Sequence, residues 1–150
     1  MLYLIHEKLL AYPVLYLSGY IINYKADYYR LIREVTVNKN WENWIIYILQ
    51  GVKEASNNTV KRIERISALM KQTYDDVKRL ASHIPAKEMS EIIFTQPFCR
   101  VKNLVDANIA KRQTAMLYLK SLEDVGILES VKHGREVLFV NRRFLNILTE

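Results

Sequence analysis

The feature that most constrains this 150-residue chain is an apolar stripe with helical spacing over about forty residues. It begins at Trp41, contains one glycine, Gly51, and stops before Pro85. Apolar residues at three- and four-residue steps are typical of an amphipathic α-helix, and globular helices usually span roughly 8–20 residues. The pattern therefore predicts one unusually long helix over 41–84 that connects two bodies, with a possible kink at Gly51 or at 56–58. The stripe contains Trp41, Ile45, Ile48, Val52, Ala55, Thr59, Ile63, Ile66, Met70, Val77, Ala81 and Ile84.

Two further helices are predicted before the long one, over 2–11 and over 14–35. The polar segment 36–40 interrupts the apolar spacing between the second and the third helix. Asn40 is a favourable N-cap for the long helix, and Glu42 stands in its first turn, where the helix dipole favours a negative charge.

The last part of the chain predicts shorter elements. Helices are predicted over 87–95, 101–107, 111–125 and 142–148, and strands over 127–131 and 137–140, joined by a turn at 132–135. Helix, helix, helix, strand, turn, strand is the order of a winged helix-turn-helix. We therefore expect a mainly α protein in two domains. Residues 1–84 form a helical bundle with its long connecting helix, and residues 85–150 form a winged helix-turn-helix with a small β-hairpin wing.

The third helix of this terminal domain is the candidate recognition helix. Its buried side should be Ala115, Leu119 and Leu122. Lysine and arginine contact phosphates or guanine edges, glutamine can pair with adenine, and a basic wing can contact a neighbouring phosphate. The candidate DNA-binding residues are Lys111, Arg112, Gln113, Met116 and Lys120 on the helix, with Lys132 and Arg135 in the wing.

The charge distribution leaves a second interpretation of this surface open. The chain has a net charge of +6, of which residues 1–84 carry +4 and residues 85–150 only +2. Four carboxylates near the candidate residues dilute their positive field, namely Glu123, Asp124, Glu129 and Glu136. A module that binds a protein partner, with a solvated basic surface, is therefore the alternative to DNA binding.

No catalytic or metal-binding pattern is present in the sequence. His6, His83 and His133 stand far apart, without metal-ligand spacing, so neither a metal nor another cofactor is expected. The one cysteine, Cys99, is expected to be structural, and it fits a reducing compartment such as the cytoplasm. No run of about 18 apolar residues predicts a membrane span. The apolar N-terminal segment is interrupted by charged residues, so we do not expect it to be a signal peptide.

Aromatic residues cluster in the first third of the chain. They include Tyr16, Tyr20, Tyr24, Tyr28, Tyr29, Trp41 and Trp44. Such a set can stack on the bases of a single strand. Its helical spacing favours a core or an interface between helices instead, with tyrosine hydroxyls at the edge.

Several segments carry a resemblance to a known family. Pro13-Val14-Leu15-Tyr16-Leu17-Ser18-Gly19-Tyr20-Ile21 and Trp41-Glu42-Asn43-Trp44-Ile45, together with 2–5 and 27–31, resemble the segment that follows the active-site motif in Fic (filamentation induced by cyclic AMP) proteins. The pattern from Thr114-Ala115 to Gly126-Ile127-Leu128-Glu129 is similar to the winged-helix extension that many of those proteins carry.

Fic proteins generally transfer AMP from ATP to a hydroxyl group of a target protein. In their motif HPFxxGNGRxxR the histidine is the base and the glycine-rich loop holds the phosphates. The present sequence contains no such string, and the resemblance places the motif just before residue 1. No catalytic residue can therefore be carried over. Without a positioned base and phosphate donors nucleotidyl transfer is not expected.

The resemblance implies a noncatalytic C-terminal portion of a Fic-family protein, with a regulatory winged helix that binds DNA or a protein. Residues 1–50 would expose apolar surface, which predicts self-association or a protein partner there. Two alternatives stay open. One is a part of an AMP transferase whose catalytic motif lies upstream, and the other is a stand-alone transcriptional regulator whose first helices dimerise or sense a signal.

Overall fold

The computed structural model describes residues 2–11, 16–134 and 136–150. Those residues form eight helices and three short strands, so the predicted mainly α class is confirmed. The chain divides into two compact units, Met1–Lys61 and Arg62–Glu150, which we call unit 1 and unit 2. In the described part of the chain, no helix combines the length and apolar character needed to cross a membrane.

The first helices of unit 1 are shorter than predicted. They are α1 (Leu2–His6), α2 (Leu17–Asn23) and α3 (Lys25–Asn38). We predicted that the first helix would continue over 2–11. It ends at His6, and Lys8 then adopts a left-handed conformation with φ of 57°, which a right-handed helix cannot include.

The single helix predicted over 14–35 is wrong for the described residues, because a break at Tyr24 separates α2 from α3; residues 14 and 15 lie outside them. Tyr24 has φ of −115° and ψ of 39°. Its carbonyl accepts a hydrogen bond from the Tyr28 N–H at 3.1 Å and another from the Tyr47 hydroxyl at 3.4 Å. A carbonyl that also accepts from a donor outside its own helix tilts away from the axis, which accounts for the break.

α3 continues beyond the predicted end at residue 35. It includes the first part of the polar segment and stops where Lys39 adopts a left-handed conformation with φ of 57°. The Lys39 N–H donates to the Val35 carbonyl at 3.1 Å, which satisfies one of the carbonyls left over at the helix end. The polar side chains of this segment therefore do not end the helix; the left-handed residue does.

The long helix exists and is designated α4 (Glu42–Leu80, 39 residues). It begins one residue later than predicted, and the Trp41 carbonyl accepts the first helical hydrogen bond, so Trp41 rather than Asn40 occupies the N-cap position. The helix is uninterrupted at Gly51 and at 56–58. It ends at Leu80 instead of residue 84, because the chain turns before Pro85.

The predicted apolar stripe of α4 is buried at one end only. In unit 2, Val77 and the residues Ala81 and Ile84 that follow the helix are at most 4% exposed. In unit 1, by contrast, Trp41 is 56% and Ile45 52% exposed. These two residues lie on the predicted apolar stripe but are not covered within unit 1, because α2 and α3 pack against a different side of α4.

That other side of α4 carries Tyr47 and Gly51. Tyr47 is 5% exposed, and a Cβ on Gly51 would stand 2.7 Å from Cδ1 of Tyr20, so only glycine allows this ring to approach. Neighbouring ring centroids in the cluster lie 4.6–6.5 Å apart. The cluster consists of Tyr20, Tyr24, Tyr28, Tyr29, Trp44 and Tyr47. The packing interpretation thus applies to Tyr20, Tyr28 and Trp44, which are half-buried around Tyr47. Four other aromatics of the predicted set remain exposed, namely Tyr16 (68%), Tyr24 (43%), Tyr29 (59%) and Trp41 (56%).

The helices of unit 2 agree with the prediction to within two residues at each end. After the end of α4 they are α5 (Ala86–Thr95), α6 (Val101–Asp106), α7 (Arg112–Asp124) and α8 (Arg142–Thr149). Their apolar spacing is regular and their ends carry breaking residues, which is why periodicity located them.

The strands of unit 2 differ more from the prediction. They are β1 (Phe98–Cys99), β2 (Glu129–His133) and β3 (Glu136–Val140), in the antiparallel order β1-β3-β2. β1 was not predicted, because two residues show no alternation. β2 begins two residues later than predicted, since Leu128 turns inward and is only 5% exposed.

One core unites unit 2. It draws buried side chains from the end of α4, from α5, α6 and α7, and from the sheet. The largest fully buried side chains are Val77, Met89, Ile93, Cys99, Leu104, Leu119, Leu122 and Phe139. The core holds α7 and the β2–β3 hairpin, which carry the candidate residues, on a common base.

Candidate nucleic-acid interface on unit 2

α7 is anchored by three side chains on one face. Ala115, Leu119 and Leu122 are fully buried, as predicted from their spacing. A helix fixed along one side by close-packed residues presents its opposite side at a defined orientation. The outward residues of α7 are therefore held rigidly relative to the core.

The N-terminal turn of α7 is exposed and basic. Lys111 is the N-cap residue, with φ of −69° and ψ of 158°, and its carbonyl accepts the Ala115 N–H at 2.8 Å. Lys111, Arg112 and Gln113 are all exposed. The partial positive charge of the helix N-terminus adds to that of the two cationic side chains. This end of α7 is suited to an anionic ligand.

The remaining candidates on α7 differ in exposure. Lys120 is exposed, whereas Met116 is half-buried and packs against the core. The sequence interpretation missed Leu117, which is 63% exposed and lies four residues after Gln113 and three before Lys120. The same three- and four-residue spacing that selected the basic residues would have placed Leu117 on their face.

The β2–β3 hairpin carries the wing candidates. Its register pairs Lys132 with Val137 and His133 with Glu136, so Lys132, predicted to lie in the turn, is instead part of β2. Gly134 forms the turn with φ of 60°, a conformation that glycine adopts at little cost. Lys132 is exposed. Arg135 lies outside the described residues.

Two ion pairs and one further hydrogen bond engage the carboxylates near these candidates. Arg142 donates two hydrogen bonds to Glu129, at 2.8 and 3.1 Å. The guanidinium of Arg100 lies 3.3 Å from a carboxylate oxygen of Glu136. The side chain of Glu123 accepts the Ser130 N–H at 3.0 Å, which ties β2 to α7.

The Arg142 pair also affects the protonation of Glu129. The hydrogen bonds from Arg142, and then its positive charge, lower the pKa of Glu129 below its usual range. The carboxylate therefore stays charged and paired over a wider pH range. Because the charges of Arg142 and Glu129 offset each other, this pair contributes little net electrostatic field at the surface of α7.

The cysteine and one of the histidines have contacts that do not involve the candidate residues. Cys99 is buried, and burial raises its pKa to about 11, so the thiolate is not accessible at neutral pH. His83 lies 3.2 Å from the Ser121 hydroxyl in an exposed contact. Among the described residues, no group of three or more histidine, cysteine, aspartate or glutamate side chains could hold a metal ion.

The fold and this surface define a mainly helical module with a basic helix end beside a β-hairpin. Residues 69–144, which are about half of the chain, match the family described as protein adenylyltransferase SoFic-like, C-terminal domain. The chain belongs to this family. The resemblance to the C-terminal part of a Fic-family protein is thus confirmed, and the matched domain is not the catalytic part of those proteins.

Proposed function

We propose that this chain is a noncatalytic, regulatory C-terminal portion of a Fic-family protein whose winged helix-turn-helix binds duplex DNA. The observation that carries the proposal is the exposed turn of Lys111, Arg112 and Gln113 on a helix anchored by fully buried residues. We retain residues 85–150 as the binding domain and 1–84 as the helical domain.

The element order supports this assignment. α6 and α7 correspond to the two helices of a helix-turn-helix, and the β2–β3 hairpin corresponds to the wing. In this arrangement α7 enters the major groove with its N-terminal residues toward the base edges. Met116 is half-buried against the core, so it would contact only DNA atoms that come close to the core of unit 2.

Electrostatics also favour a DNA ligand. Because Glu129 and Glu136 are paired with arginines of the same unit, they oppose the field of the α7 lysines less than an unpaired carboxylate would. We assign phosphate contacts to Lys111, Lys120 and Lys132, and extend the assignment to Arg135 because it follows Gly134 in the sequence.

A titration of the whole chain with fluorescent duplexes tests the proposal. Affinity should fall steeply between about 50 and 200 mM salt, because contacts to phosphates release counterions. The double variant Lys111→Ala/Arg112→Ala should bind several-fold to about a hundredfold more weakly, with a salt slope smaller by roughly one per lost phosphate contact.

Lys71→Ala is the matched control. Lys71 is an exposed lysine of the same unit, on α4 rather than on α7 or the hairpin. An equal loss of affinity in this control would mean that binding does not depend on α7. Absence of binding to any duplex at low salt would overturn DNA binding altogether.

The second candidate for this surface is a protein partner, and the exposure of Leu117 favours it. An apolar side chain that is 63% exposed amid basic and amide groups is common where a protein docks. Leu117→Ser separates the candidates: it should abolish binding to a protein that docks there, while the phosphate-dependent affinity for DNA should change little.

The noncatalytic part of the proposal rests on the match to a C-terminal domain and on the lack of an HPFxxGNGR string in the sequence. The chain incubated with ATP labelled on its α-phosphate should transfer no label to protein. Transfer by this chain would overturn the assignment. An in-frame HPFxxGNGR motif upstream in the gene would favour the AMP-transferase alternative over a stand-alone regulator.

The single cysteine fits a cytoplasmic location, which we include in the proposal. We also propose that residues 1–50 associate with another protein or with a second copy of the chain. The support is the large number of exposed apolar side chains in unit 1, among them Ile22, Trp41 and Leu49.

A further inference from the structure

An uncovered apolar face lies on the first turns of α4, within unit 1. Trp41, Ile45 and Leu49 are 56%, 52% and 62% exposed. At 100° per residue they lie within about 80° of one another around the helix, and Val52, half-buried, lies between them. We call these four residues the α4 face. Tyr47 and Gly51, which pack toward Tyr20, lie on another side of the helix.

The charges beside the α4 face are arranged in a particular way. Glu42 and Lys53 are both exposed and stand eleven residues apart. Eleven residues are about three helical turns, so the two side chains lie within about 20° of each other, on the same flank of the face. One flank therefore carries a negative charge at its beginning and a positive charge about 16 Å farther along.

We propose that the α4 face pairs with the α4 face of a second copy of this chain, with the two helices antiparallel. A two-fold axis perpendicular to antiparallel helices brings the same flank of each helix together. Glu42 of each copy then faces Lys53 of the other, so that two identical ion pairs form. In a parallel pair the two charges would be three turns apart.

The apolar residues fit the same register. With Glu42 opposite Lys53, Ile45 of one copy lies against Leu49 of the other, and Trp41 lies against Val52. Each contact occurs twice because of the two-fold axis. The two-fold relation thus covers the face with itself, which makes a second copy its occupant rather than an unrelated protein.

This inference specifies the self-association proposed above and rests on it. Sedimentation velocity of the whole chain over a concentration series should show a reversible monomer–dimer equilibrium. Leu49→Glu should abolish the dimer, because two carboxylates would enter the apolar contact. Val37→Glu is the matched control: Val37 is an apolar residue of unit 1, 67% exposed on α3, and this variant should dimerise normally.

Charge reversal tests the orientation. Glu42→Lys or Lys53→Glu alone places two like charges together twice, and should raise the dimer dissociation constant by about tenfold at low salt. The double variant Glu42→Lys/Lys53→Glu should restore the original value. Far-UV circular dichroism should be unchanged in all three proteins, since both residues are exposed.

A cross-link gives an independent readout. A mixture of the Glu42→Cys and Lys53→Cys proteins should form a disulfide-linked heterodimer on oxidation, and neither variant alone should cross-link. A monomer at all concentrations would overturn both the self-association and its geometry. A dimer that tolerates Leu49→Glu, or in which the double charge variant restores nothing, would leave self-association standing and overturn the antiparallel α4 contact.

Discussion

Unit 1 and unit 2 differ in how many of their apolar side chains are buried. Among the described residues, unit 1 buries only Leu31, Val35 and Tyr47, whereas fourteen hydrophobic residues are buried in unit 2. Correspondingly, twelve large hydrophobic side chains are exposed in unit 1, compared with eight in the longer unit 2. Because apolar burial is the main source of stability, the core of unit 2 should stabilise its fold more than the three buried apolar residues stabilise unit 1.

Hydrogen exchange tests this contrast most directly, and we expect the largest effect there. Amides of α7 should exchange at the rate of global unfolding, whereas those of α2 and α3 open locally. At low protein concentration we expect the α7 amides to be protected at least about a hundredfold more. Equal protection in both units would remove the contrast. If the amides near Leu49 became more protected at higher protein concentration, the low protection of unit 1 would be traced to its uncovered apolar side chains.

Two leucines of α7 compare a core position with a surface one. Leu119→Ala should lower the free energy of unfolding by about 3 kcal/mol, because it opens a cavity in the core of unit 2. Leu117→Ala, on the exposed side of the same helix, should change it by less than about 0.5 kcal/mol. Urea unfolding gives both values, and similar losses would mean that α7 is not anchored on one face.

Gly51→Ala probes the packing that unit 1 does have. A methyl group there would meet the Tyr20 ring at 2.7 Å, so overpacking should outweigh the gain in helix propensity and destabilise unit 1 by about 1 kcal/mol. The tyrosine signals in near-UV circular dichroism should change with it. Ser56→Ala, at an exposed position of the same helix, is the control, and stabilisation by both changes would contradict the close contact.

The cap of α8 gives a smaller effect in unit 2. The Asn141 side chain accepts the Phe144 N–H at 3.1 Å. Asn141→Ala should lower the free energy of unfolding by about 1 kcal/mol, and Asn141→Ser should recover part of it because the hydroxyl can still accept. Thermal denaturation measures both. Identical values for the two variants would show that the side chain does not act as a cap.

The smallest effect concerns pH. The pKa of Glu129 is lowered in the folded chain, so the Arg142 pair contributes stability above the unfolded-state pKa of about 4.3. That contribution is lost as pH falls through the lower, folded-state pKa. Glu129→Gln should therefore have a slightly lower melting temperature at pH 7 and the same one as the parent well below pH 4. A deficit that persists in acid would point to packing instead.

Local patterns in the sequence predicted most of the helices. The buried side of α7 was predicted correctly, since Ala115, Leu119 and Leu122 follow one another at helical spacing. The break at Tyr24 was not predicted, because it depends on a hydrogen bond from Tyr47, 23 residues away. The exposure of Leu117 was not predicted, although its helical spacing from Gln113 and Lys120 places it on their face, because an apolar residue in an amphipathic helix is usually buried.

The candidate site was predictable in part. Five of the candidate residues are exposed, as expected for an outer surface, namely Lys111, Arg112, Gln113, Lys120 and Lys132. The pairing of Glu129 and Glu136 with arginines could not be predicted. Ion pairs join side chains far apart in the chain, and composition shows only that both charges exist.

The sequence by itself determined the mainly helical class, the long helix beginning near Trp41, and the order of the helices from α5 to α8. These follow from interactions between residues three or four apart, which a linear pattern records. Only the tertiary structure decided that β1 pairs with β3, about forty residues away, and that the Trp41 side of α4 lies open in unit 1. Helical periodicity identifies an apolar face, but whether that face is covered depends on which other elements the rest of the chain brings to it.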